Sequence, residues 1–153
     1  MTKKIEIKTQ AELDAVDINH AGEIDITGEI DTIDKTYKNA IVNISGRARV
    51  KTICGSARVN DVSGNAKVKN VSDYAKIKNI YDHAKVKNVF GSAVVNDVSG
   101  NAKVKNVFGS AVVNDVSGNA KVKNVFDCAV VHDVYDSASV SAVFGNALVY
   151  YRK

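Results

Sequence analysis

From Gly46 to Lys153 the apolar residues recur on a nine-residue beat that neither a helix nor a simple alternating strand produces. This stretch divides into twelve consecutive nonapeptides without an insertion, from GRARVKTIC to GNALVYYRK. Position 1 is always Gly or Asp, position 3 always Ala, and position 5 always Val or Ile. Position 8 is Val or Ile in eleven of the twelve and fails at Arg152. Positions 3 and 5 lie two apart, as inward residues of one short strand must. Position 8 then faces inward after a bend, and Gly or Asp at position 1 supplies the chemistry of the next corner. Residues 91–108 and 109–126 are identical, both GSAVVNDVSGNAKVKNVF, and alternate nonapeptides differ consistently, so the structural period is eighteen residues. One eighteen-residue coil cannot bury its own Ala and Val side chains, whereas coils stacked about 4.8 Å apart share one narrow core. The pattern predicts an all-β, single-domain parallel β-helix (a β-solenoid) of about six coils of 18 residues, with alanine marking a thin core.

Residues 1–45 depart from the repeat and read as an N-terminal cap with the first irregular coils; residues 46–153 are the solenoid, in one continuous domain. A solenoid leaves unpaired strand edges at its ends, which caps cover. Ile5 and Ile7 alternate with polar residues as in a strand. Thr9-Gln10-Ala11-Glu12 has capping-box spacing ahead of a short helix near Ala11–Val16. Strand-like pieces follow at GEIDIT (22–27), GEIDTI (28–33) and NAIVNIS (39–45).

Charge divides along the same boundary. Residues 1–45 carry five lysines and nine acidic residues (5 − 9 = −4), and residues 46–153 carry sixteen basic and eight acidic ones (16 − 8 = +8). The total of +4 therefore hides a basic solenoid behind an acidic cap, which points to an anionic partner or to internal complementarity. The chain has no proline, as strands that all donate N–H groups to a neighbour require. Its 153 residues with 45% apolar content suit one folded domain. No run of eighteen apolar residues offers a transmembrane helix, and the start lacks the apolar stretch of a secretory signal. Two cysteines at repeat positions fit a reduced, cytoplasmic chain.

Equivalent positions of stacked coils form columns. Lys67, Lys85, Lys103 and Lys121 occupy position 4 of every second nonapeptide, and Lys69, Lys87, Lys105 and Lys123 occupy position 6. Both sets point outward from the same strands and form a basic strip suited to phosphates or an acidic protein surface, although lysines also keep sheets soluble. The other half-coil presents Val94, Val112, Val130 and Leu148, an apolar column that with Tyr150 and Tyr151 marks a possible homodimer contact near the C-terminal coils. Phe90, Phe108, Phe126 and Phe144 form a corner ladder that reads as structural, with base stacking the functional alternative. Asn70, Asn88, Asn106 and Asn124 read as a hydrogen-bonding ladder, and Asp97, Asp115 and Asp133 fill the matching place on the other half. Calcium-binding nonapeptides need glycines where these repeats have Ala and Val, which argues against that metal.

His20, His83 and His132 have no partners at catalytic or metal-ligand spacing, and Cys54 and Cys128 have no CxxC mate. Walker, dinucleotide and G-x-S-x-G motifs are missing, so the sequence reads as non-enzymatic, with no cofactor. The repeat region 46–153 resembles, in architecture, the small β-helical anti-CRISPR proteins that inhibit Cas9 and, less closely, the bactofilin-like β-helices that assemble end to end. The first resemblance implies a binding protein that meets the Cas9 nucleoprotein and blocks DNA binding or cleavage. The second implies a self-assembling scaffold. The expectation carried forward is a lysine-lined face that engages a nucleic acid or nucleoprotein, with a homodimer through the C-terminal coils.

Overall fold

The computed structural model describes residues 3–153 and shows a two-walled parallel β-solenoid. One wall is a nine-stranded parallel sheet of β1 (Lys3–Ile7), β2 (Ala21–Ile26), β4 (Asn39–Ile44), β6 (Arg58–Val62), β8 (Lys76–Ile80), β10 (Val94–Val98), β12 (Val112–Val116), β14 (Val130–Val134) and β16 (Leu148–Tyr151). The other wall holds seven strands: β3 (Glu29–Ile33), β5 (Arg49–Ile53), β7 (Lys67–Val71), β9 (Lys85–Val89), β11 (Lys103–Val107), β13 (Lys121–Val125) and β15 (Ser139–Val143). From β5 onward, successive nonapeptides alternate between the walls. A residue therefore pairs with the one eighteen positions on, as Val104 does with Val122 and Val95 with Val113.

Each repeat position has a physical task. Alanine at position 3 falls where the turn delivers the chain into the strand, the narrow end of the coil, and Ala48 through Ala129 are fully buried in every repeat. Positions 5 and 8 fill the space between the walls, with Val62, Val71, Val89, Val107 and Val125 fully buried. The corner between walls closes when the position-3 N–H donates to the position-9 carbonyl, as Ala120 does to Ser117 at 3.1 Å. This turn needs a left-handed residue at position 1, which explains the Gly/Asp restriction: Gly118 has φ +61° and Asp136 above it φ +55°. Asp adds a second contribution, because the Asp136 carboxylate accepts the Gly118 N–H at 3.2 Å from the coil below. Asp82 does the same for Gly64 at 3.0 Å.

The solenoid extends further toward the N-terminus than the strict repeat. Strands β1 to β4 already belong to the two sheets, with offsets of 19 residues between Lys3 and Gly22 and 20 between Glu29 and Arg49 in place of 18. The expected helix is present as α1 (Gln10–Asp14), slightly earlier than Ala11–Val16. Its full capping box joins the Thr9 side chain to the Glu12 N–H and the Glu12 carboxylate to the Thr9 N–H. Helix α1 lies against the open edge of β3, where Leu13 is buried over the end of the core. Gln10 acts there as a substitute strand. Its Oε1 accepts from the Asp31 and Thr32 N–H groups at 3.0 and 2.9 Å, and its Nε2 donates to the Thr32 carbonyl at 3.1 Å. At the other end the core opens. Val143 is 45% exposed, and Val140 and Val149 are only partly buried, although their equivalents in inner coils are inaccessible.

Candidate nucleic-acid interface

All eight lysines of the predicted strip come together on the outer face of the seven-stranded wall. Register pairs Lys67 with Lys85, Lys85 with Lys103 and Lys103 with Lys121, and the position-6 row follows two residues on. Buried residues at position 5 force positions 4 and 6 outward, because side chains alternate across a strand. The two rows stand about 7 Å apart, with neighbours in a row about 4.8 Å apart. The structure adds Arg49 and Lys51, which continue the rows by one coil through the Arg49–Lys67 pairing. Both occupy the same slots of the first nonapeptide, so the repeat already carried this signal.

Between the rows runs an open trough of about 1270 Å³, lined by these ten cations and by residues including Val50, Val68, Val86 and Val104. Those valines are buried to within 3% of complete, so the floor they offer is backbone. The trough is bounded unequally. At the β3 end stand Glu29 and Asp31 with Gln10, and at the β15 end Ser141 lines it. Glu29 sits beside Arg49 in register.

All ten cations are exposed, and among the described residues no salt bridge reaches any of them. The ion pairs that do form lie on the cap: Lys4 with Glu23 at 3.0 Å and Asp25 at 3.4 Å, and Lys8 with Glu6 at 3.6 Å. The Glu23 hydrogen bond, then the Asp25 and Glu23 charges, raise the Lys4 ammonium above its ordinary value. At 4.8 Å in water two unit charges repel by about 0.9 kcal/mol before salt screening. The strip is thus a concentrated positive field whose cations have no ion-paired partner, the nearest carboxylates being Glu29 and Asp31 at its β3 end.

The Phe ladder flanks the trough at the corner after each lysine strand. Phe90, Phe108 and Phe126 stack with centroids 5.0 and 4.9 Å apart and planes within 5° of parallel, so each ring turns its face to the next ring. That arrangement supports the structural reading. Phe144 ends the column and is 57% exposed. On the inner side of the same corner, Asn88, Asn106 and Asn124 each donate to the asparagine below at 2.9 Å.

The residues expected at a dimer contact do not all share one surface. Val94, Val112, Val130 and Leu148 are in register on the outer face of the nine-stranded wall, opposite the lysines. Val112 and Val130 are half-buried there, and Leu148 is exposed. Tyr150 joins that face, its ring parallel to His132 at 6.2 Å. Tyr151 leaves it, because a register shift after Val131 sets Tyr151 opposite the inward Val134. From there its hydroxyl donates to the Val140 carbonyl of the opposite wall at 3.5 Å.

Asp97, Asp115 and Asp133 stack half-buried on the same wall. Burial first, then the Asp115 charge and hydrogen bond, push the Asp97 carboxyl above the ordinary carboxylate range, with Lys78 opposing. Cys54 and Cys128 are unbridged and lie on different coils; burial and the nearby Asp73 and Asp34 push the Cys54 thiol up. Among the described residues no helix is long and apolar enough to cross a membrane. No family model, curated protein or solved structure matches this chain.

Proposed function

We propose that this protein is a non-enzymatic binding module whose lysine trough engages a nucleic acid, alone or within a nucleoprotein. One observation carries the reading: ten exposed cations in two parallel rows on one flat wall, with no carboxylate paired to them. A strip kept only for solubility gains nothing from concentrating like charges in two unbroken rows over five strands. On the opposite wall the same repeat positions hold cations only at β6 and β8 (Arg58, Lys76, Lys78), and Val with Asn or His from β10 to β14. Phosphates laid along it replace mutual repulsion with attraction and release condensed counterions. The architectural resemblance to small β-helical Cas9 inhibitors makes a Cas9–guide complex one nucleoprotein to test.

The test is binding of labelled single-stranded and duplex DNA across a salt series. The fourfold variant Lys85→Glu, Lys87→Glu, Lys103→Glu and Lys105→Glu changes the strip from ten positive charges to six positive and four negative. Affinity for DNA at 50 mM salt should fall more than 100-fold in that variant. Unchanged affinity, or no binding by the native protein at low salt, overturns the reading.

A second reading, association of two chains through the C-terminal coils, is favoured by the apolar and aromatic exposure there: Leu148 50%, Tyr150 51% and Tyr151 61%. Sedimentation equilibrium should show a dimer that Leu148→Glu with Tyr150→Glu dissociates. A monomer at 100 µM removes this reading, and filaments would replace it with the scaffold alternative.

A further inference from the structure

The trough has a direction, a width and an end, and these say more than that it is basic. Its long axis runs along the stack, perpendicular to the strands, for about 19 Å over five strands at the interstrand spacing. Its two rows face one another across about 7 Å, and nothing rises from its backbone floor. Among the described residues no helix, ribbon or long loop projects from the trough, since four-residue corners join β5 to β15 to the other wall.

Reading a duplex by sequence requires an element that enters a groove, and this wall presents none. A duplex resting on the wall would meet the strip with a short arc of each winding backbone, leaving most of the cations without a phosphate. A single extended strand can lie straight between the rows, so that each phosphate has cations on both sides. Its bases gain little, because the flanking Phe rings at 4.9–5.0 Å are turned to one another and offer edges instead of open faces for stacking. The β3 end is closed by charge: Glu29 and Asp31 continue the two rows with opposite sign. The β15 end is neutral, since Lys121 is followed in register by Ser139.

Resting on the nucleic-acid reading above, we infer that the trough holds one single-stranded nucleic acid lengthwise, through its phosphates and without regard to sequence, with Glu29 and Asp31 setting the end of the footprint. An extended strand spaces its phosphates more widely than the roughly 3.4 Å of a stacked duplex strand, so the strip spans at most about six phosphates.

Fluorescence anisotropy at several salt concentrations tests this, using the full chain with oligo(dT) of 4 to 20 nucleotides, mixed-sequence strands, an abasic deoxyribose-phosphate oligomer and duplexes of equal length. Single strands should bind at least tenfold more tightly than duplexes, and affinity per site should level off by about eight nucleotides. The abasic oligomer should match oligo(dT) within threefold. Two end variants report the orientation: Glu29→Lys with Asp31→Lys, and Ser139→Lys with Ser141→Lys. A strand lying lengthwise reaches both ends, so each variant should steepen the slope of log K against log salt by up to about 1.4, the increment for two further phosphate contacts on a single strand. Thermal melts of both variants check that the fold persists.

Duplexes bound as tightly as single strands, a tenfold loss without bases, or end variants with native slopes would overturn the inference while leaving the trough as a DNA site. No binding of any strand overturns both.

Discussion

The two walls of the solenoid share one core and turn opposite chemistries outward. Inside, both follow the same rule, Ala at position 3 and Val or Ile at positions 5 and 8, buried to within 3% in every inner coil. Outside, the seven-stranded wall from β7 to β13 repeats Lys at positions 4 and 6 and Asn at position 7, whereas the nine-stranded wall from β10 to β14 has Val, then Asn or His, then Asp. The fold therefore depends on three columns per wall and leaves the outward columns to set what each wall meets. In such a stack a difference at one outward position becomes a difference between whole faces.

If the core is equally tight behind both walls, overpacking either one should cost the same. Ala102→Leu adds bulk behind the lysine wall and Ala111→Leu behind the other, at positions that are both fully inaccessible. Each should lower unfolding stability by about 1–3 kcal/mol, the usual cost of forcing methylenes into a packed core. Urea denaturation measures both. A difference above about 1 kcal/mol would show that the walls do not share the core evenly.

The walls also begin differently. The lysine wall starts at β3 with its edge satisfied by Gln10, and the other starts at β1. Gln10→Ala removes one acceptor serving two N–H groups and one donor, with the two Thr32 bonds partly shielded and the Asp31 bond exposed, and should cost about 1–2 kcal/mol. Amide exchange should accelerate first at Asp31 and Thr32, and equal acceleration along β1 would show that Gln10 supports the whole end instead of one edge.

Gln10 also marks where legibility stops. The nonapeptide columns, the lysine rows, the Asn ladder and the Thr9–Glu12 capping box could all be read from spacing, because each depends on the local period or on stacking it eighteen residues on. The role of Gln10 could not, since it depends on bringing a helix against a strand 22 residues away. Glu29 and Asp31 were hidden for a related reason. They lie in the lysine rows through a 20-residue offset, so counting by eighteen misses them. Tyr151 shows the same limit at the other end, where a register shift moves it off the face that its repeat position implies.

Position 7 gives a subtler contrast. The Asn column on the lysine wall donates down its length, whereas Asp97, Asp115 and Asp133 stack acceptors on acceptors. Lower in that column Asn79 already relieves the problem by donating to Asp61 at 2.8 Å. Asp115→Asn should do the same and stabilise the fold at neutral pH by about 0.5–1.5 kcal/mol, the net worth of one hydrogen bond. The pH dependence has a definite sign. The raised carboxyl is that of Asp97, which binds its proton more readily in the folded state, so the penalty that Asp115 adds to it is full above that folded value. It disappears as pH falls toward the ordinary value of 3.8. The gain from Asp115→Asn should therefore shrink between neutral pH and about pH 4. A gain that persists unchanged at pH 4 would assign it to packing instead of charge.

The smallest effect separates the faces most directly. Lys103→Val with Lys105→Asn gives β11 the outward residues of β10 and removes two cations from the middle of the strip. Lysine side chains splay, and salt screens what remains, so the repulsion relieved should stabilise the fold by no more than about 0.5 kcal/mol, the usual range for surface substitutions. Its signature is salt dependence: raising salt should stabilise the native protein by screening the rows and stabilise the variant less. The same two changes should flatten the salt slope for a bound single strand by up to about 1.4. A variant with native stability and native slope would mean that the rows neither repel one another nor meet phosphate. Stability gained together with slope lost would show one set of charges held at a cost to the fold and discharged by the ligand.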